Sequence, residues 1–111
     1  MLIGCSKKSE TPTFKRASFT GIVWEENGPL GGCTNIVKFD DTKRYEGLKC
    51  GADQNFSNDV TYTYDNKSTI TIDPNGSFTI KYVIVSLSDT TLKMDYYLSY
   101  VKRRTYNYTK L

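Results

Sequence analysis

Ser77-Phe78-Thr79-Ile80-Lys81-Tyr82-Val83-Ile84-Val85-Ser86 is the stretch on which the fold turns. In an extended chain Phe78, Ile80, Tyr82 and Ile84 fall on one side, and Thr79, Lys81, Val83 and Val85 on the other. A period of two is the mark of a β-strand. Just before it stands Asp73-Pro74-Asn75-Gly76, and Asn75-Gly76 supplies the positive φ angles of a tight hairpin. Working outward, the alternation resumes beyond Ser88-Asp89, with Leu92, Met94, Tyr96, Leu98 and Tyr100 in phase. Upstream, Val60, Tyr62 and Tyr64 alternate with polar residues, and a turn at Asp65-Asn66-Lys67 leads to Ile70 and Ile72. Residues 35–40 and 44–49 flank a turn at Asp41-Thr42. The first strand spans residues 19–25 and carries Trp24, the one tryptophan; the last spans 105–110, with Tyr106 and Tyr108 in phase.

The pattern predicts an all-β domain, an antiparallel up-and-down meander of about eight strands. Strands this short need one face buried and their edges protected. Closing the meander into a small barrel does both. At eight strands the interior is either just filled by side chains or holds one small ligand. Residues 101–104 lack Gly, Pro and Asn, so the last two strands are expected as separate strands or as one long bent strand.

The chain has 111 residues and a formal net charge of +3, which fits one small domain. Such a domain buries roughly 60–70% of the surface its unfolded chain exposes. No stretch approaches the ~20 apolar residues of a membrane-spanning helix. The charge sits at the front: Lys7, Lys8, Lys15 and Arg16 against Glu10 account for all +3. A neutral body lacks the basic surface that phosphate recognition requires, so no nucleic-acid partner is expected. Residues 19–76 carry 5 basic and 9 acidic side chains and residues 77–111 carry 6 and 2. One wall of the meander is thus expected to be acidic and the other basic, as solvated outer faces or as a steering field for a charged or zwitterionic partner.

Leu2-Ile3-Gly4-Cys5 has the form of a bacterial lipobox, with a small residue before the cysteine that receives diacylglycerol. A charged and apolar leader normally precedes such a site, and Met1 to Gly4 read as its remnant. Residues 6–16 are polar, charged and broken by Pro12, as a tether would be. The expected organisation is therefore a lipoprotein signal remnant over residues 1–5 with lipid attachment at Cys5, a flexible tether over 6–17, and a barrel over 18–111. Its expected place is the bacterial cell envelope, lipid-anchored to the outer membrane on its periplasmic or surface face.

With Cys5 carrying lipid, Cys33 and Cys50 remain as an even pair in an oxidising compartment and are expected to bond. Cys33 enters one strand and Cys50 leaves its hairpin partner, so both lie at the same end of that hairpin. A metal pair is a poor alternative, because the chain has no histidine and no Cys-x-x-Cys. The lack of histidine also removes the commonest general base and the usual Ser-His and Cys-His pairs. The carboxylates Asp40, Asp41, Asp53, Asp59, Asp65 and Asp73 stand in turn-like contexts, where they bond their own backbone. No enzyme activity, metal or cofactor is expected.

Gly21-Ile22-Val23-Trp24 is similar to a relaxed Gly-x-Trp of lipocalin-like proteins. The runs from Tyr62 to Ile72 and from Tyr82 to Met94 resemble the second half of small bacterial lipocalin-like lipoproteins, where Tyr-x-Ile-x-Ser-Leu-x-Asp-x-Thr-Leu recurs between late strands. The resemblance implies an eight-stranded up-and-down barrel, a lipid anchor and a small apolar ligand. This chain is shorter than typical lipocalins and shows no helix to pack on the barrel.

Two functions follow. In the first, Trp24, Phe39, Tyr62, Tyr64, Phe78, Tyr82, Tyr96 and Tyr100 line a cup for an apolar ligand, or else the same aromatics fill a solid core. In the second, the domain is a non-catalytic interaction module, an inhibitor or accessory subunit of an envelope protein. It would then act through loops at residues 25–34 and 51–59.

Overall fold

The computed structural model describes residues 13–27, 32–73 and 79–111. Eight strands follow one another: β1 (Val23–Glu26), β2 (Cys33–Phe39), β3 (Lys43–Cys50), β4 (Asp53–Tyr64), β5 (Thr69–Ile72), β6 (Ile80–Leu87), β7 (Thr91–Leu98) and β8 (Val101–Lys110). Each pairs antiparallel with the next, and β8 returns to pair with β1 through Trp24↔Lys110 and Glu26↔Tyr108. The meander therefore closes into a barrel and leaves no outermost strand. Among the described residues the only helical element is a 3-10 turn, Arg16–Ser18.

Directly paired residues share a face of the sheet, so the register shows what the barrel encloses. Ile70 opposes Tyr82, Ile84 opposes Met94, Leu92 opposes Tyr108 and Trp24 opposes Val37. Ile70, Tyr82, Ile84, Leu92, Met94 and Tyr108 are in-phase residues of the period of two, and Trp24 and Val37 join them on the inward face. The same register also carries charge inward on β3, where Arg44 opposes Phe39 and Glu46 opposes Val37.

One end of the barrel is packed solid. Phe19, Trp24, Phe39, Ile70 and Met94 are completely buried there, and each side chain of this size contributes about 1.5–3 kcal/mol by leaving water. Phe19 meets Phe39 and Tyr64 edge to face at 5.3 and 5.1 Å. Residues 13–17, the expected end of the tether, lie against this end. Phe14 packs on the core, its N–H donates to the Lys67 carbonyl, and its own carbonyl accepts from the Tyr64 hydroxyl. Arg16 lies over the rings of Tyr62 and Tyr64 and bonds the Asp41 carbonyl. The indole N–H of Trp24 donates to the Phe19 carbonyl at 3.1 Å, so its polar handle is satisfied.

Cys33 and Cys50 are register partners on β2 and β3 and form a disulfide, with Cα atoms 4.2 Å apart. The bond braces the opposite end of the barrel, and closing a loop of this length stabilises the fold by about 3 kcal/mol in the chain-entropy estimate.

Four expectations need correction. Of the two forms expected for the last two strands the separate one holds, but the turn between them falls at Ser99-Tyr100 rather than at residues 101–104. Both turn residues adopt positive φ, 52° and 70°, the backbone of a two-residue primed turn. Tyr100 leaves the inward face as a result and is 74% exposed. The first strand begins at Val23 rather than residue 19, because Gly21 at φ 73° redirects the chain. Residues 53–59, read as part of a loop, are the first half of the twelve-residue β4, and Gly51 at φ 63° makes the tight turn before it. Asp53 and Asp59 accordingly sit in a strand. Cys5, Phe78 and the Asn75-Gly76 pair lie outside the described residues.

Candidate functional site

Above the packed floor the barrel opens into a polar cleft of about 380 Å³. Its walls come from Glu26 on β1, Asn35 and Val37 on β2, Arg44, Glu46 and Leu48 on β3, Asn58 on β4, and Arg104, Tyr106 and Tyr108 on β8. The alternation of β3 and β8 aims these side chains at one another. Arg44 and Glu46 are two residues apart on one strand, as are Arg104, Tyr106 and Tyr108 on the other, so each set shares a face.

Arg44 forms the floor. It is only 5% exposed, with its guanidinium 4.7 Å from the centre of the Tyr82 ring and 6.0 Å from that of Phe39. Its Nη1 pairs with a Glu46 oxygen at 3.0 Å, and its Nε is buried with no hydrogen-bond partner among the described residues. Burial opposes the charge of Arg44, but Tyr82 and Tyr108, negatively charged at the high pH where an arginine would titrate, together with the Glu46 carboxylate outweigh it and raise its pKa. The guanidinium stays protonated.

A second ion pair stands at the rim, Arg104 to Glu26 at 2.9 Å. It joins β8 to β1, so the basic and acidic stretches of the sequence meet across the seam that closes the barrel. Tyrosines pack beside it. Tyr82 stacks on Tyr96 at 5.3 Å and Tyr106 on Tyr108 at 5.8 Å. Burial pushes the Tyr82 hydroxyl up to about 12, with Arg44 pulling against it, and pushes Tyr108 up as well. These phenols are neutral hydrogen-bonding groups at any physiological pH.

The expected aromatic set divides in two. Trp24, Phe39, Tyr62 and Tyr64 are buried in the packed end and are not among the residues that line the cleft; the hydroxyls of Tyr62 and Tyr64 are spent on backbone carbonyls of Asp40, Phe14 and Lys67. Tyr82 and Tyr96 stack beneath the cleft. Tyr100 points to solvent, and Phe78 lies outside the described residues. Of the residues that shape the cleft, Tyr106 and Tyr108 were read from the sequence only as in-phase strand positions and Glu26 only as part of the loop at 25–34, and Arg44, Glu46 and Arg104 were not singled out. One signal was available for some of them: Arg104-x-Tyr106-x-Tyr108 and Arg44-x-Glu46 keep the period of two in phase with apolar inward positions.

The aspartates behave otherwise. Asp40 accepts from the backbone N–H groups of Thr42 and Lys43, and Asp65 from those of Lys67, Ser68 and Thr69. Those backbone bonds lower the pKa of Asp40; at Asp65 burial opposes the shift, and three such bonds outweigh it. Both aspartates shape turns.

An up-and-down barrel with one end plugged and the other open is the architecture of a small-ligand binder. The model of the lipocalin-like domain family matches residues 7–94, well over half of the chain. The chain therefore belongs to the lipocalin-like family. Comparison with curated proteins and with solved structures finds no match for it.

Proposed function

We propose that this protein binds a small molecule in the open mouth of its barrel, and that it does so without catalysis, as a lipoprotein tethered through Cys5 at a bacterial envelope. The observation that carries the binding reading is the cleft of about 380 Å³, floored by a buried, charged Arg44 with an unused donor. A polar group so placed is costly to leave without a partner, by about 1–3 kcal/mol. The site also differs from the apolar cup implied by the aromatic residues, because the aromatics of the packed end leave no room and the open end is lined by two ion pairs. The ligand is accordingly a polar or charged molecule with a flat apolar part.

Support for the tether is the lipobox-like Leu2-Ile3-Gly4-Cys5, the polar residues that follow and the disulfide, a bond favoured outside the cytosol. Mass spectrometry of the natural product should find diacylglycerol on Cys5, and a free thiol there would end that part of the proposal. The binding reading is tested by thermal shift against a panel of small organic acids, amines and neutral aromatics. A ligand that occupies the folded state raises the unfolding midpoint by mass action. Such a ligand should lose its effect in Asn58→Trp, which fills the cleft. A panel with no active member, or a shift that survives Asn58→Trp, would refute it.

A further inference from the structure

Resting on that reading, we propose a chemical class for the ligand: an organic monocarboxylate with a flat, ring-sized body, its carboxylate held by the guanidinium of Arg44 at the floor of the cleft. A guanidinium offers several donor edges. Glu46 occupies Nη1 of Arg44 at 3.0 Å, whereas Nε has no hydrogen-bond partner among the described residues. The guanidinium lines the cleft, and with a single ion pair drawn from one Nη it keeps donors for the two oxygens of a second carboxylate.

Charge in the mouth favours a single negative group over a dianion. Arg104 is already held by Glu26 at 2.9 Å, so Arg44 is the cation with an edge to spare. A phosphate monoester would bring a second charge toward Glu26 and Glu46, which both line the cleft. Shape limits the rest of the ligand. Tyr106, backed by the buried Tyr108 ring on which it stacks, presents flat ring surface at the wall. A long acyl chain would have to run down the barrel axis, where Trp24, Leu92 and Met94 are buried in a packed core. The body therefore stays in the mouth and is a ring system rather than a fatty tail. Asn35 and Asn58 at the walls supply hydrogen bonds to hydroxyl or amino substituents on that ring.

Glu46 is the internal competitor. Its side chain is 53% exposed, so it can turn to water when a ligand carboxylate takes its place beside Arg44. Neutralising it removes the competitor without removing the anchor. The test is isothermal titration of the folded protein, its Glu46→Gln form and its Arg44→Met form with 1-naphthoate, 1-naphthamide and palmitate. Naphthoate should bind at least tenfold more tightly than the isosteric amide. Glu46→Gln should tighten naphthoate several-fold and leave the amide unchanged, and Arg44→Met should weaken naphthoate at least tenfold. Should Arg44→Met fail to fold, the Glu46→Gln comparison decides alone, because a purely structural Arg44 predicts no ligand-specific gain. Equal binding of acid and amide, no gain in Glu46→Gln, or a preference for palmitate would overturn the carboxylate assignment while ligand binding itself stood. If none of the three binds and the wider panel is also silent, both proposals fall together.

Discussion

Gly47 shows how much a single position decides. It lies on β3 where the pairing with β4 shifts register, so that Glu46 opposes Asn58 but Gly47 opposes Phe56. A Cβ on Gly47 would stand 1.9 Å from the Asn55 carbonyl oxygen and 2.7 Å from the Phe56 Cα. These are backbone atoms that cannot rotate away. Gly47→Ala should therefore destabilise the barrel by about 3 kcal/mol or more, read as a lower midpoint in urea unfolding; a change under 1 kcal/mol would show that β4 does not approach so closely. The glycine also bears on the cleft, since the bulge follows Glu46 and fixes how Arg44 and Glu46 present themselves. A glycine inside a strand pattern marks such an approach, yet alternation alone reads residues 44–49 as a plain strand. The strand itself was legible in the sequence, and the bulge was not.

Between elements, turns divide into those that sequence chemistry announces and those that the sheet imposes. The turn after β4 is announced. Asp65 accepts from three successive backbone N–H groups, and Asn66 takes a φ of 64° that asparagine tolerates. The turn between β7 and β8 is imposed, with Ser99 and Tyr100 both in the left-handed region. Neither residue favours it, and the β7–β8 ladder holds it in place from Thr91↔Thr109 to Leu98↔Val101. This is why the end of β7 was hard to read: Tyr100 continues the phase of Leu92, Met94, Tyr96 and Leu98, but it stands outside the strand. Replacing the pair by Asn-Gly, as Ser99→Asn with Tyr100→Gly, removes strain on the order of 1 kcal/mol per position. The double variant should raise the thermal midpoint by several degrees. An unchanged or lower midpoint would mean that the Tyr100 ring, 5.3 Å from the Lys81 ammonium, contributes more than the backbone strain costs. A similar division explains the site. Apolar inward residues were legible because burial is written in hydrophobicity. Arg44 and Glu46 were not, since a charged residue on a strand is ordinarily a solvated one.

At the scale of the whole barrel, tyrosine is the material of the interior, and that choice sets the conditions under which the fold survives. Closure through β1 and β8 encloses Tyr62, Tyr64, Tyr82 and Tyr108. Burial raises the pKa of each above the ordinary value of 10.0, to about 12 for Tyr64 and Tyr82. A phenol that is harder to ionise folded than unfolded supports the native state fully below the unfolded pKa. Its support is lost as pH rises through the folded one. For Tyr82 alone the difference is worth on the order of 2 kcal/mol, a large part of the 5–15 kcal/mol that typically holds a domain together. The tyrosines should thus add no pH dependence to stability up to about 10, and the barrel should unfold cooperatively as pH climbs from there toward 12. Phenolate absorbance and circular dichroism followed together supply the check. The buried tyrosines should ionise in one step with the loss of β signal. If they instead titrate near pH 10 while the β signal persists, water reaches them in the native state, and the solid floor on which the binding mouth rests is not there.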